Sequence, residues 1–209
     1  MSRSGACIYV VDDDASVCNA VSLLLKANGY NAECLPCAED FLNLKRSKKP
    51  ACLILDINLP NINGLALQDA LAERKISVPI IFITGHGDVP MSVRAMKAGA
   101  VDFLQKPFTE EKLLKAVALA VSRNKVQNKS LAEIAKIKKR VRTLSPRELE
   151  VFRFVARGLM SKEIAGKRGT SLQTIKVHRG RVMHKMQAAT VTELIDFARI
   201  AGIIPSQKK

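Results

Sequence analysis

Apolar positions along the first 120 residues follow two alternating rhythms. Ala6 to Val11, Ala51 to Leu55 and Val78 to Ile83 are continuously hydrophobic, as strands of a parallel sheet covered on both faces should be; Asn31 to Leu35 and Val101 to Leu104 complete a set of five. Between them lie stretches of helical period with recognisable stops. Ala15 to Asn28 closes at Asn28-Gly29, Gly64 to Glu73 is amphipathic, and Pro90 to Ala98 ends at Gly99. A strand and helix repeated five times predict an α/β domain with a doubly wound parallel sheet and helices on both faces.

From Thr109 the helical pattern runs through Val117, Val121, Leu131, Ile134 and Val141, with neither proline nor glycine before Pro146. One long helix is expected, or one broken near Asn124 to Ser130. The remainder is all helical by its own punctuation. Ser145-Pro146-Arg147-Glu148 combines a capping box with proline at the first helical position, Gly158 supplies a stop, and Ser171 starts another helix. Thr190-Val191-Thr192-Glu193 is a second capping box before a helix ending at Gly202. Four short helices in this space make a compact bundle. The expected division is a first domain over 1–122, a basic helical linker over 123–142 and a helical domain over 143–209.

Length and charge sharpen this picture. A chain of 209 residues with 47% hydrophobic content suits two modest cores. Residues 1–124 hold 14 Lys and Arg against 13 Asp and Glu, whereas 125–209 hold 20 against 6, so nearly all of the net charge of +15 belongs to the C-terminal part. A field of that sign suits a polyphosphate partner. No apolar run reaches the length of about 18 residues that spans a bilayer, and Met1 to Gly5 lead into the first strand without a secretory segment. A cytoplasmic protein with no membrane partner is expected. The five cysteines, Cys7, Cys18, Cys34, Cys37 and Cys52, read as reduced packing or surface thiols, the spacing of Cys34 and Cys37 included.

In an open parallel sheet, chemistry collects beyond the carboxyl ends of the strands. Here those ends carry Asp12-Asp13-Asp14, Asp56, Thr84-Gly85 and Lys106-Pro107. Carboxylates converging on one edge repel unless a cation lies among them, and Mg²⁺ is the natural choice because it leaves coordination places for phosphate oxygens. Asp56 is then the candidate nucleophile for a phosphoryl group, Lys106 and Thr84 would meet phosphoryl oxygens, and the metal would sit on Asp13, Asp56 and the carbonyl of Asn58, with Asp12 acting through water. Asp14 is read as the cap of the following helix and His86 as a loop residue.

The segments Val10 to Asp14, Leu55 to Pro60 with Gly64, Ile83 to Asp88 and Asp102 to Phe108 resemble the receiver domain of two-component response regulators, most closely the NarL/FixJ subfamily. The resemblance implies a flavodoxin-like (βα)5 fold, a histidine kinase as phosphodonor and a cis Lys106-Pro107 bond. It further implies a Thr84 and Phe103 pair that moves on phosphorylation, and homodimerisation through the surface spanning Pro90 to Leu104. Leu144 to Ile200 resembles the four-helix LuxR-type helix-turn-helix domain, carried by Leu144 to Val151, Gly158 to Ala165 and Thr174 to Arg179.

Double-stranded DNA is therefore the expected partner of the basic half. On a helical wheel Ile175, His178, Val182 and Met186 face inward, while Gln173, Lys176, Val177, Gly180 and His184 face out. Lys176 can address a guanine edge and Val177 a thymine methyl, while Lys162, Thr174, Arg181 and Lys185 suit flanking phosphates; Arg179 is also counted among the DNA-binding candidates. Lys136 to Arg142 reads as a solvated face. The chain departs from the subfamily at Arg168 and Thr170, where aliphatic residues are usual, and at Gly180, which costs about 1 kcal/mol of helix stability relative to alanine. Gly180 points to a less stable domain that lets DNA approach its backbone. The helix from Glu193 to Ile200 is expected to pair DNA-binding domains on two half-sites.

The leading expectation is a phosphorylation-dependent transcription regulator that is not an enzyme. An aspartate-nucleophile phosphatase would need a second acid two residues after Asp56, where this chain has Asn58. An orphan-type regulator that binds DNA without phosphorylation is disfavoured by the intact acidic edge.

Overall fold

The computed structural model describes residues 7–44, 51–85 and 88–205. Ala6 and His86, both assigned from the sequence, lie outside these residues. Contacts divide the chain into two compact units, Met1–Gln127 and Asn128–Lys209.

In the first unit, β1 (Cys7–Val11), β2 (Asn31–Leu35), β3 (Cys52–Asp56), β4 (Ile80–Thr84) and β5 (Asp102–Gln105) form one sheet in the order β2-β1-β3-β4-β5. All four neighbouring pairs run parallel, with Val10 opposite Ile54 and Asp56 opposite Ile83. The strand order reverses between β1 and β3, which makes the crevice in which α/β sheets place their sites. Pro79 lacks an N–H to give the ladder, and β4 begins one residue later than that proline.

Helices α1 (Ala15–Ala27), α2 (Ala38–Asn43), α3 (Gly64–Glu73), α4 (Val89–Lys97) and α5 (Glu110–Val141) connect and follow the strands. Strand side chains alternate between two cores, and both faces are covered. Ile8, Val10, Ile54, Ile81 and Ile83 pack with Leu25 of α1 and Leu113 and Val117 of α5. Tyr9, Val11, Leu53, Leu55 and Phe82 pack with Phe41 of α2, Leu67 and Leu71 of α3, and Ala95 of α4. Helix α2 was not read from the sequence: it has six residues and no side-chain cap at Cys37, so it depends on burying Ala38 and Phe41. All five cysteines are free thiols.

Helix α5 is unbroken, so the alternative of an interruption near Asn124 to Ser130 is not realised. The unit boundary falls inside it. Its last turns contribute Ile137, which is fully buried, to the core of the second unit.

The second unit adds α6 (Pro146–Ala156), α7 (Ser161–Arg168), α8 (Leu172–Met186) and α9 (Val191–Ile200). The capping box at Ser145 is formed in both directions with Glu148, and Ser171 and Thr190 cap α8 and α9. Phe152, Val155, Ile164, Ile175, Val182, Met186 and Leu194 build one core. Gly169 closes α7 in the left-handed region, the conformation that favours glycine, and the turn to α8 comes directly after it. Among the described residues no helix is long and apolar enough to cross a membrane.

Candidate functional site

The ends of β1, β3, β4 and the segment after β5 bring Asp12, Asp13, Asp56, Thr84 and Lys106 to one edge of the first unit. Parallel pairing fixes this: Val11 lies opposite Leu55, so the next residues of the two strands emerge side by side. Asp12, Asp56 and Thr84 are buried, at 2%, 6% and 0% exposure, while Asp13 is exposed. The Asp14 side chain accepts the amides of Ser16 and Val17 and so caps α1, which removes it from the acidic set.

Lys106 is the cation of this edge. Its Nζ lies 2.7 Å from Asp12 Oδ2 and 3.4 Å from Asp56 Oδ2. The peptide bond from Lys106 to Pro107 is cis. Burial pushes the Asp56 carboxyl above the ordinary aspartate value; Lys106 opposes that rise and Asp12 reinforces it. Burial alone would lower the Lys106 ammonium, but its two carboxylate partners hold it above the usual lysine value.

The remaining oxygen atoms indicate what the edge can hold. Asp56 Oδ1 is buried with no hydrogen-bond partner among the described residues. One carboxylate oxygen each from Asp12, Asp13 and Asp56 can lie within 4.8 Å of the others. A buried, unpartnered carboxylate oxygen beside two further acids fits a hard divalent cation with water completing its coordination. Asp12 has both oxygens engaged, Oδ2 by Lys106 and Oδ1 by the Asp14 amide. Exposed Asn58 donates its side-chain amide to Thr84 Oγ1 at 3.4 Å. Phe103, in β5, is half-buried against the core that contains Phe82.

Gly64 opens the amphipathic helix expected over Gly64 to Glu73 and belongs to the receiver-like motif, and the structure supplies the reason for a glycine there. A Cβ there would stand 2.4 Å from the carbonyl oxygen of Asp56, and the Gly64 amide donates to Ile57 O at 3.0 Å. The start of α3 is thus pressed against the end of β3, which only a residue without a side chain permits.

In the second unit α8 presents the candidate nucleic-acid face. Ile175, Val182 and Met186 are buried, His178 is half-buried, and Gln173, Thr174, Lys176, Val177, Gly180, Arg181 and His184 are exposed. Lys162 is exposed on α7. Two candidates are committed to internal contacts instead. Lys185, expected at a flanking phosphate, is drawn 2.6 Å from the buried carboxylate of Glu148 and also donates to Thr143 O. Arg179 donates to Ser161 Oγ at 3.3 Å, tying α8 to the start of α7. Of the departures noted in the sequence, Arg168 pairs with Glu150 at 2.8 Å, bracing α7 on α6, and a Cβ at Gly180 would meet nothing within 4 Å.

A parallel sheet with an acidic carboxyl edge, joined to a helix-turn-helix bundle, defines a DNA-binding regulator with an acidic receiver module. Residues 8–118 match the family model of the response regulator receiver domain, and residues 142–198 match that of the bacterial regulatory proteins of the luxR family. The chain is 42% identical over 198 residues to Nodulation protein W of Bradyrhizobium diazoefficiens, covering 95% of this chain and 87% of that protein. It is 38% identical to the transcriptional regulatory protein FixJ of the same organism, covering 94% and 96%. The solved structure of response regulator StyR superposes with a TM-score of 0.83 at 38% identity, over 94% of this chain and 99% of that one. The protein belongs to the NarL/FixJ subfamily of two-component response regulators, DNA-binding proteins with a receiver and a LuxR-type helix-turn-helix domain.

Proposed function

We propose that phosphorylation of Asp56 controls the DNA binding of this regulator. The single observation that carries the reading is the buried, unpartnered Asp56 Oδ1, set in a pocket whose cation, Lys106, already touches the other oxygen of the same carboxylate. The phosphodonor is a phosphohistidine of a histidine kinase. An Asp56 oxygen attacks phosphorus, the bond from phosphorus to the imidazole nitrogen breaks, and its electron pair returns to the ring, leaving an acyl phosphate on Asp56.

Lys106 neutralises charge on the transferring oxygens and afterwards pairs with one of them. Thr84 then leaves its Asn58 partner to donate its hydroxyl to another, with Phe103 moving in the same step. Asp13, Asp56 and the carbonyl of Asn58 would hold Mg²⁺, with Asp12 contributing through water. The ion supplies neutralisation of phosphoryl charge. The position two residues after Asp56 holds an amide already spent on Thr84, and an amide is no proton donor for the leaving group of a phosphatase cycle.

The phosphorylated receiver forms a homodimer through the surface from Pro90 to Leu104. Val89, Val93 and Met96 expose an apolar row on α4 that supports this. Dimerisation places two helix-turn-helix domains on a pair of half-sites, with α9 assisting. On DNA, Lys176, Val177 and Gln173 read base edges, while Lys162, Thr174, Arg181 and His184 approach the borders of the groove. The protein works in the cytoplasm.

The test is the intact mass and oligomeric state of the protein with Mg²⁺ and acetyl phosphate, beside Asp56→Asn. A phosphoryl-sized gain confined to wild type, with a shift towards dimer, is expected. Equal behaviour of the two proteins would reduce the receiver to an unphosphorylated docking module.

A further inference from the structure

The second unit carries a basic cleft beside, not on, the exposed row of α8. Lys136, Lys139, Arg140, Thr143, Lys185 and Gln187 line an open space of about 250 Å³ at the C-terminal end of that helix. Four cations and no acid line it. Such a concentration of one charge gives the cleft a positive field suited to an anionic partner, and the fold itself accounts for only part of it.

Two of them are explained by the fold. Arg140 donates to Met186 O at 3.3 Å and to the side-chain carbonyl of Gln187, which holds the left-handed residue that ends α8. Lys185 is bound to Glu148 and to the carbonyl of Thr143. Both cations also lie near the end of α8, where unsatisfied carbonyls carry partial negative charge. Lys136 and Lys139 have neither role: they are exposed, and no hydrogen bond or ion pair is formed by either side chain among the described residues.

The cleft adjoins the recognition surface. On the wheel of α8, Lys185 and exposed Arg181 share the flank next to the row of Gln173, Lys176, Val177 and His184. A phosphate strand bordering a major groove occupied by that row runs along such a flank. We propose that this cleft takes phosphates of the DNA backbone, with Lys136 and Lys139 as the contacting cations, so that the DNA-binding surface continues from the helix-turn-helix onto the last two turns of α5. Arg140 and Lys185 are positioning residues that fix the end of α8 beside them. The inference rests on DNA binding through the exposed face of α8 and assigns contacts outside that face.

Two measurements on the full chain test it, both with a short mixed-sequence DNA duplex. The first is lysine acetylation footprinting read by mass spectrometry: DNA should protect Lys136 and Lys139 together with Lys176. Protection of Lys176 alone overturns this inference and leaves the α8 reading standing, whereas protection of none overturns both. The second is the salt dependence of affinity between about 50 and 200 mM KCl. Lys136→Ala with Lys139→Ala should lower the slope of log K against log salt by about 1.8, from about 0.9 for each phosphate no longer neutralised. The control, Lys26→Ala with Lys115→Ala on the first unit, removes the same charge and should leave the slope unchanged. An unaltered slope in the cleft variant, or an equal reduction in the control, overturns the proposal.

Discussion

The ammonium of Lys106 is held more closely by Asp12, at 2.7 Å, than by the proposed acceptor beside it. Asp12 is fully buried at the side chain, so Lys106 supplies most of its compensation. Lys106→Met should therefore destabilise the metal-free protein by about 2 kcal/mol, below the several expected for a wholly buried pair because Lys106 is partly exposed. Added Mg²⁺ should then raise the melting temperature of the variant more than that of wild type, since the ion no longer shares the carboxylates with an ammonium. Equal Mg²⁺-dependent gains in thermal melts would show that lysine and metal do not compete for this edge.

Gly64 offers a steric test of how the acceptor is positioned. Gly64→Ala forces a Cβ to within 2.4 Å of the Asp56 carbonyl, and the atom in the way is backbone, which cannot swing aside. A loss of about 1–3 kcal/mol in urea unfolding is expected from such overpacking, together with slower phosphorylation by acetyl phosphate as the end of β3 shifts. A variant of unchanged stability and rate would mean that α3 slides away without moving Asp56.

The strands and the acidic edge were legible because both rest on local pattern: unbroken apolar runs mark β1, β3 and β4, and in a parallel sheet the residues after each strand must emerge at the same edge. The outward row of α8 came from periodicity for the same reason. The features that escaped the sequence depend on partners distant along the chain. Nothing near Lys185 announces that Glu148, 37 residues earlier, engages the ammonium expected at a flanking phosphate, although the capping box had already placed Glu148 at the start of α6. Arg179 and Ser161, and Arg140 and Gln187, are pairs of the same kind. Helix α2 escaped because six residues carry too little period, and Gly64 because the crowding atom belongs to another element.

Gly180 is the opposite case to Gly64. With nothing within 4 Å of an added Cβ and a helical backbone around it, Gly180→Ala should stabilise the 128–209 unit by about 1 kcal/mol, raising its melting temperature by roughly 4–8 °C. The methyl projects from the exposed row, so DNA affinity should fall while stability rises. Circular dichroism melts and a DNA titration on the same protein check both signs. Tighter DNA binding would rule out close approach of the backbone at this position.

Glu148 gives the second unit a predictable acid sensitivity. Its hydrogen bond from Lys185, together with the weaker one from the Ser145 amide, holds its carboxyl below the ordinary glutamate value of 4.5. A depressed folded-state value contributes stability that is present above the unfolded value and is lost as pH falls through the folded one. Wild type and Glu148→Ala should differ by about 1–3 kcal/mol at neutral pH, for the removal of a cap and a buried charged hydrogen bond. That gap should close as the pH is taken below 4.5. A gap that persists unchanged at low pH would assign the effect to packing of α6 rather than to the ionised carboxylate.

Lys185 and Arg181 lie about 40° apart on the wheel of α8, yet they should fail in different ways when removed. Lys185 neutralises a buried carboxylate and is already occupied there, so Lys185→Ala should lower the stability of the 128–209 unit by about 1–3 kcal/mol while the slope of DNA affinity against salt stays close to wild type. Arg181 is exposed and has no ion pair among the described residues, so Arg181→Ala should leave the melting temperature unchanged and reduce that slope by about 0.9. Chemical denaturation and fluorescence anisotropy at several salt concentrations separate the two. Reversed behaviour, with Lys185 governing the slope and Arg181 the stability, would require α8 to meet DNA rotated towards its Lys185 flank, and the assignment of Lys176 and Val177 to base edges would have to be redrawn with it.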